Sequence, residues 1–246
     1  MIVVCWELLA YCGPSMGKRK DSPTLLSNVC MMLGHASNRN VQYQCMKMYR
    51  SMKRLHPRMF GHPNSRPRSW RICFHKDKKH WASKYSLEEL AGILLVGKDT
   101  PVPLNYECYL FELRNANGAL TEDQLTKSHA HHLEKFRRAC PEKGLYDLSA
   151  NVDKRKRVEL KDRTLPCLTT SSYFWSEPKG RTMTGREHLH ALGYPCWGPG
   201  AAAARVDPID TSEVRESALR SMAGNGMSLP CAGFTLLMAV LFVEDK

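Results

Sequence analysis

The sequence predicts an α/β protein. Two runs read as strands, residues 2–6 and 70–74, and two capping boxes open helices at Ser86 and Thr121. The first run, Ile-Val-Val-Cys-Trp, is β-branched and continuous, the pattern of a buried parallel strand. After it comes a loop with a basic cluster at Lys18, Arg19 and Lys20, then a helix over 24–33 that stops at Gly34. In the second run Trp70, Ile72 and Phe74 alternate with Arg71, Cys73 and His75, which predicts a half-buried strand.

Ser86 and Glu89 form the first capping box, with Tyr85 and Leu90 placed as a hydrophobic staple, so a helix runs to Val96 and ends at Gly97. A turn at 115–118 precedes the second box, Thr121 and Gln124, with Leu120 and Leu125 as its staple. Leu125, His129, His132, Leu133 and Phe136 then keep helical spacing, with Lys135, Arg137 and Arg138 alongside. Residues 153–163 are dense in charge and read as exposed. Residues 184–192 read as a further helix, followed by a Pro/Gly/Ala linker over 195–204 and a last helix after Gly226.

Composition narrows the function. The chain has 246 residues, 43% hydrophobic and 24% charged, which suits a folded protein rather than a disordered one. Its formal net charge of +12 attracts polyanions, with nucleic acid first among them. The ten cysteines contain no CxxC pair, and a chain this long needs no disulfide staples, so they read as reduced thiols of an intracellular protein. The apolar start lacks a basic n-region and contains Glu7, unlike a signal peptide. The apolar run 229–243 contains Pro230 and Gly233 and falls short of the roughly 20 residues that span a bilayer, so it reads as a buried helix and no membrane is expected. The Cys and His spacings lack the tight repeated pairs of a structural zinc site, so no metal is expected.

Three segments resemble the S-adenosylmethionine-dependent cytosine-5 DNA methyltransferase family. Residues 60–74 follow its Tyr-Gly-x-Pro-Gln-x-Arg-x-Arg element and the strand after it, matching at Gly61, Pro63, Arg66 and Arg68, with Asn64 in place of Gln. Residues 181–195 follow Arg-x-Leu-Thr-x-x-Glu-x-x-x-Leu-x-Gly-Phe-Pro at Arg181, Thr184, Glu187, Gly193, Tyr194 and Pro195, and Pro166 to Ser171 resembles the lead-in to that element. Residues 223–233 follow the Gly-Asn-x-Val element at Gly224 and Asn225. The 113 positions from Arg68 to Arg181 suit a target-recognition insertion, and the 29 from Pro195 to Gly224 suit the return to a core domain.

The resemblance implies an incomplete Rossmann-like core over 1–75, a mixed α+β target-recognition region over 76–180, and a return to the core over 181–246. It implies methyl transfer from S-adenosylmethionine to C5 of a cytosine flipped out of DNA, with RNA as the alternative substrate. Arg66 and Arg68 hold the cytosine O2 edge, where electron density collects during attack. Glu7 at the end of the first strand takes the place of the family glutamate at N3, although Leu8 and Leu9 follow where the family has Asn-Val. Gly224, Asn225 and Gly226 face the cofactor, as a glycine-bounded turn at a helix start lets backbone amides approach a carboxylate. Asn64, Arg181 and Thr184 belong to the nucleic-acid side.

The reaction also needs a thiolate to add to C6. The family supplies it from Pro-Cys-Gln, and none of Pro166-Cys167, Pro195-Cys196 or Pro230-Cys231 is followed by Gln. The Gly-rich cofactor loop is absent too. The chain alone is therefore expected to be inactive, with a second chain able to supply the catalytic half. The rival reading is a non-catalytic basic nucleic-acid-binding protein derived from such an enzyme. Without the core sheet, the apolar last helix is expected to be exposed. The location implied is the nucleus in a eukaryote and the cytoplasm otherwise.

Overall fold

The computed structural model describes residues 2–7, 43–45, 55–66, 68–75, 77–95, 105–111, 116–139, 144–150 and 164–246. The helix expected over 24–33, the basic cluster at 18–20 and the charged stretch at 153–163 lie outside these residues. The described chain is mixed α/β, built from short helices and small sheets. It divides into two compact units that cut the sequence differently from the three segments drawn above. One unit takes Met1–Leu55, Pro67–Leu94 and Gly233–Lys246, and the other takes His56–Arg66 and Leu95–Ala232.

In the first unit, β1 (Ile2–Glu7) and β2 (Tyr43–Cys45) flank β3 (Ser69–His75), both antiparallel to it. The sequence reading of β1 as a parallel strand is thus corrected. A continuous apolar run signals burial on two faces, and it carries no information on strand direction. Trp70, Ile72 and Phe74 are buried, as the alternation in β3 predicts. A second ladder pairs β4 (Lys79–Trp81) with β8 (Val243–Asp245), where Trp81 and Phe242 pack with ring centroids 5.6 Å apart. Among the described residues every paired strand is antiparallel.

Helix α1 (Leu87–Leu95) starts where its capping box places it. Ser86 N donates to Glu89 Oε2 at 2.7 Å, and Glu89 N donates to Ser86 Oγ at 3.2 Å. The second box works differently from the sequence reading. Thr121 N does donate to Gln124 Oε1 at 3.0 Å, but the box closes a single 3-10 turn, Glu122–Gln124. Helix α2 (Lys127–Ala139) begins separately, with Thr126 Oγ1 accepting from His129 N. The extended backbone of Leu125 breaks the two apart.

The second unit is organised around a sheet of three very short strands, β5 (Leu145–Asp147), β6 (Phe174–Ser176) and β7 (Arg181–Thr182). Alternation sends Leu145 and Phe174 into the main core with Leu165, Leu168, Leu189, Leu192, Leu219 and Ala223. Tyr146 and Trp175, directly paired across β5 and β6, face the other way and pack with Leu133 and Phe136 of α2. Both faces of the sheet are covered, which explains why all three positions of β5 and of β6 are buried.

Helices α3 (Gly185–His190), α4 (Gly198–Ala203) and α5 (Glu216–Asn225) come next, and α6 (Leu229–Phe242) closes the chain before β8. Gly193, at φ 89°, ends the turn after α3; its left-handed backbone and the Pro230 ring beside it both call for glycine. The last helix is not wholly buried. Met238 and Ala239 face inward, while Leu236, Leu237, Val240 and Leu241 are more than half exposed. Among the described residues no single helix is long and apolar enough to cross a membrane; the pair α5 and α6, bent by 42°, passes only on length and composition together.

Candidate functional site

Segments far apart in the sequence meet in the second unit, at Arg66. This side chain is 1% exposed. Its Nη2 donates to Gly224 O at 2.7 Å and to Gly226 O at 2.8 Å, and its Nη1 donates to Leu168 O. Two residues earlier, the buried Asn64 donates from Nδ2 to Ala191 O at 2.8 Å. Backbone pairing between Pro63, Ser65 and Leu165 lays this strip along the 164–168 segment, and Arg58 Nη2 adds a bond to Thr164 Oγ1 at 2.7 Å. A last link runs from Leu229 N to Leu192 O. All three elements singled out in the sequence, with the Pro166–Ser171 lead-in, are thereby fastened to one another.

Gly224 shows how close the segments come. A Cβ at this position would lie 2.1 Å from Thr170 N and 2.3 Å from Thr169 C. The glycine is needed because another stretch of backbone occupies the space a side chain would fill. Its place in the fold also differs from the sequence reading. Gly224 and Asn225 form the end of α5, not the start of a helix, and Gly226 caps that end by donating its N–H to Ala223 O. Of the three residues assigned to the cofactor, Gly224 is buried, Gly226 is half-buried and Asn225 is exposed. The backbone of this turn is spent on the protein, so it does not fit direct amide contact with a cofactor carboxylate. The Asn225 side chain is the group open to a ligand.

Arg181, Thr184 and Glu187 make a second buried constellation. Arg181 and Glu187 are 1% and 0% exposed and pair in a bidentate fashion, Nη2 to Oε1 at 2.7 Å and Nη1 to Oε2 at 3.0 Å. Glu187 also accepts from Phe111 N and from Thr184 N, and Arg181 donates to Phe111 O. Thr184 caps α3 by accepting from Glu187 N at 3.1 Å. The resemblance puts Asn64, Arg181 and Thr184 on the nucleic-acid side, yet all three are sealed in the interior. Their contribution to any such surface passes through the segments they hold in place. Arg66 likewise braces backbone in this structure.

Arg68 and Glu7 lie in the first unit. Glu7 ends β1 opposite Ser69, one position from Arg68 along the neighbouring strand. Arg68 is half-buried, and its N–H donates to Leu55 O.

The basic helix α2 keeps less free charge than its sequence suggests. Arg137 bonds to Glu122 at 2.7 Å and to Glu177 at 2.9 Å, and Arg138 bonds to Glu134. On the same helix, His129 stacks on Tyr173, and Arg220 from another segment lies over the same ring. The helical spacing of His129 and His132 is visible in the sequence. Nothing local marks Tyr173 or Arg220 as part of this cluster.

An aromatic cluster lies beside α3. Phe111 and Trp197 stack with centroids 5.1 Å apart, and His190 packs edge-on to Tyr109 and Trp197. Burial lowers the imidazoles of His190 and His62 below their ordinary value. An open apolar cleft of about 240 Å³, lined by Leu189, Tyr194, Ile209, Val214 and Met222 among others, includes none of residues 224–226. Among the described residues, Cys108, Cys167, Cys196 and Cys231 form no disulfide.

No protein-family model matches the chain, and no curated protein matches it.

Proposed function

We propose that the chain is the target-recognition and closing portion of a cytosine-5 methyltransferase-type protein that acts on nucleic acid. The observation that carries this reading is the Arg66 node. Three segments chosen for their order in sequence meet through hydrogen bonds spanning 127, 158 and 160 positions. The net charge of +12 supports a polyanionic partner.

In this reading a flipped cytosine is held at its O2 edge by the second arginine, Arg68, with Glu7 at N3. Arg66 fixes the Gly224–Gly226 turn and with it Asn225. S-adenosylmethionine is the methyl donor, and Asn225 is the one group of the turn able to touch it. The core that would complete the site is Rossmann-like and includes a Pro-Cys-Gln nucleophile, which this sequence does not contain.

The test is a duplex carrying a fluorescent cytosine analogue whose emission rises on unstacking. Mixed with the chain and a polypeptide bearing the Pro-Cys-Gln half, it should brighten, and Arg68→Ala should remove most of the gain. No change with the unmodified chain overturns the reading. Reading the transcript upstream of the Met1 codon separates two forms of this proposal: a frame that continues into Pro-Cys-Gln makes the chain part of a longer enzyme, and a stop codon leaves a split-enzyme half or a degenerate binder. A second reading, a non-catalytic nucleic-acid binder, is favoured by the missing nucleophile; it predicts binding with no methyl transfer even when the other half is added.

A further inference from the structure

Arg137 and Arg138 of α2 are paired with carboxylates of the protein, but one side of the helix is arranged otherwise. His129 and His132 stand about one turn apart and meet groups from two other segments. The His129 ring stacks on Tyr173, with centroids 4.5 Å apart and planes 17° from parallel. The Arg220 guanidinium of α5 lies 4.8 Å from the centroid of the same ring. His132 Nδ1 sits 2.8 Å from Leu148 O, so that nitrogen carries the proton and donates. The lone pair of the neutral ring is then on Nε2, and protonation makes Nε2 a second donor. Among the described residues, neither ring nitrogen of His129 nor His132 Nε2 has a hydrogen-bond partner.

Titratable and charged groups face this cluster from several elements, starting with His131 of α2 itself, whose ring centroid lies 6.4 Å from that of His132. From α5 comes Glu216, 3.8 Å from Arg220; its carboxylate also accepts from Gly185 N. From α3 comes His188, buried and within reach of the Arg220 charge. From the 164–173 segment comes Tyr173. Burial, and then the charges of His132 and Arg220, hold His129 below the ordinary imidazole value. Like charges gathered around an aromatic plate, with one long-range carboxylate among them, leave a deficit of negative charge that an anion would fill.

We propose that His129, His132 and Arg220, beside Tyr173, form a phosphate subsite that grips the nucleic-acid backbone, most strongly when His129 is protonated. The inference rests on the nucleic-acid reading above and locates one backbone contact of that surface. A bound phosphate favours the charged form of His129, so the protein takes up a proton on binding and affinity rises as pH falls through the histidine range. The contact carries no base information; it sets register and orientation.

Fluorescence anisotropy with a labelled DNA duplex and a labelled RNA hairpin, at pH 7.5 and pH 5.5, tests this on the full chain. The unmodified chain should bind about tenfold more tightly at the lower pH. The double variant His129→Gln with His132→Gln should stay within about threefold of it at pH 7.5, lose most of the gain at pH 5.5, and show a salt slope reduced by about one phosphate there. Gain on one probe alone identifies which nucleic acid supplies the phosphate. Calorimetry of the unmodified chain in two buffers of different ionisation enthalpy checks the same point without relying on a variant: net proton uptake is expected, and its absence overturns the subsite. A double variant that binds with unchanged pH gain and salt slope overturns the subsite and leaves the nucleic-acid reading intact. Failure of the unmodified chain to bind either probe at either pH overturns both.

Discussion

Glu187 has no exposed surface, and its carboxylate accepts four hydrogen bonds, from Phe111 N, Thr184 N and both terminal nitrogens of Arg181. A buried ion pair is worth little against an apolar substitute, but removing one partner strands the other. Glu187→Gln is therefore expected to cost about 3–5 kcal/mol, read as a fall in the denaturation midpoint. Gly224→Ala should cost about 1–3 kcal/mol by overpacking, because the colliding atoms are backbone of Thr169 and Thr170 and cannot swing aside. His188 poses a different problem. It is buried against Phe174, neither ring nitrogen has a partner among the described residues, and burial, with Arg220 nearby, pushes its pKa down to about 3. Unfolded chains take up this proton near pH 6.5, whereas the folded chain refuses it until far lower. Stability should thus fall as pH drops from about 6.5 toward 3, by about 1 kcal/mol per unit from this group. Denaturation curves at stepped pH check this, and His188→Leu should flatten that slope.

At the scale of elements, caps are the most legible signal and also the most literal. Ser86 with Glu89 closes as its sequence spacing foretells, since a capping box is a contact between residues three apart, and Thr184 with Glu187 forms a further box at the start of the helix read over 184–192. The two differ in worth. The first is exposed and the second sealed, so Thr184→Ala should cost about 1–2 kcal/mol and Ser86→Ala less, comparing thermal midpoints. The box at Thr121 shows the limit: its local bonds form, but the path of the chain beyond Gln124 is set by Leu125, not by the box. Strands β5, β6 and β7 leave no periodic trace, because two or three residues cannot display an alternation. The strand at 2–6 is legible as a strand, but its direction comes from its neighbour β3. The convergence on Arg66 is legible only as a resemblance. That its guanidinium serves carbonyls depends on where residues 168, 224 and 226 come to rest.

For the whole molecule, the last helix carries the main liability. Leu236, Leu237, Val240 and Leu241 are each more than half exposed, Val240 at 75%. The sequence already implies such a face wherever no core sheet covers it. A contiguous apolar patch of this kind promotes association in water. Replacing Leu237 and Val240 with Lys should reduce light scattering at a given concentration while leaving the thermal midpoint within about 0.5 kcal/mol equivalent. Loss of folding in that variant would mean the face is packed rather than open.

The Arg66 bonds have a bearing on the order in which the protein assembles. A bond that spans 160 positions forms only after the intervening chain has found its place, whereas the capped turns of α1 and α3 need only their own neighbours. Interactions absent from the folding barrier act on escape from the native state, not on arrival. Arg66→Lys should accordingly leave the refolding rate nearly unchanged and hasten unfolding, so that this one guanidinium sets how long the joined segments stay joined.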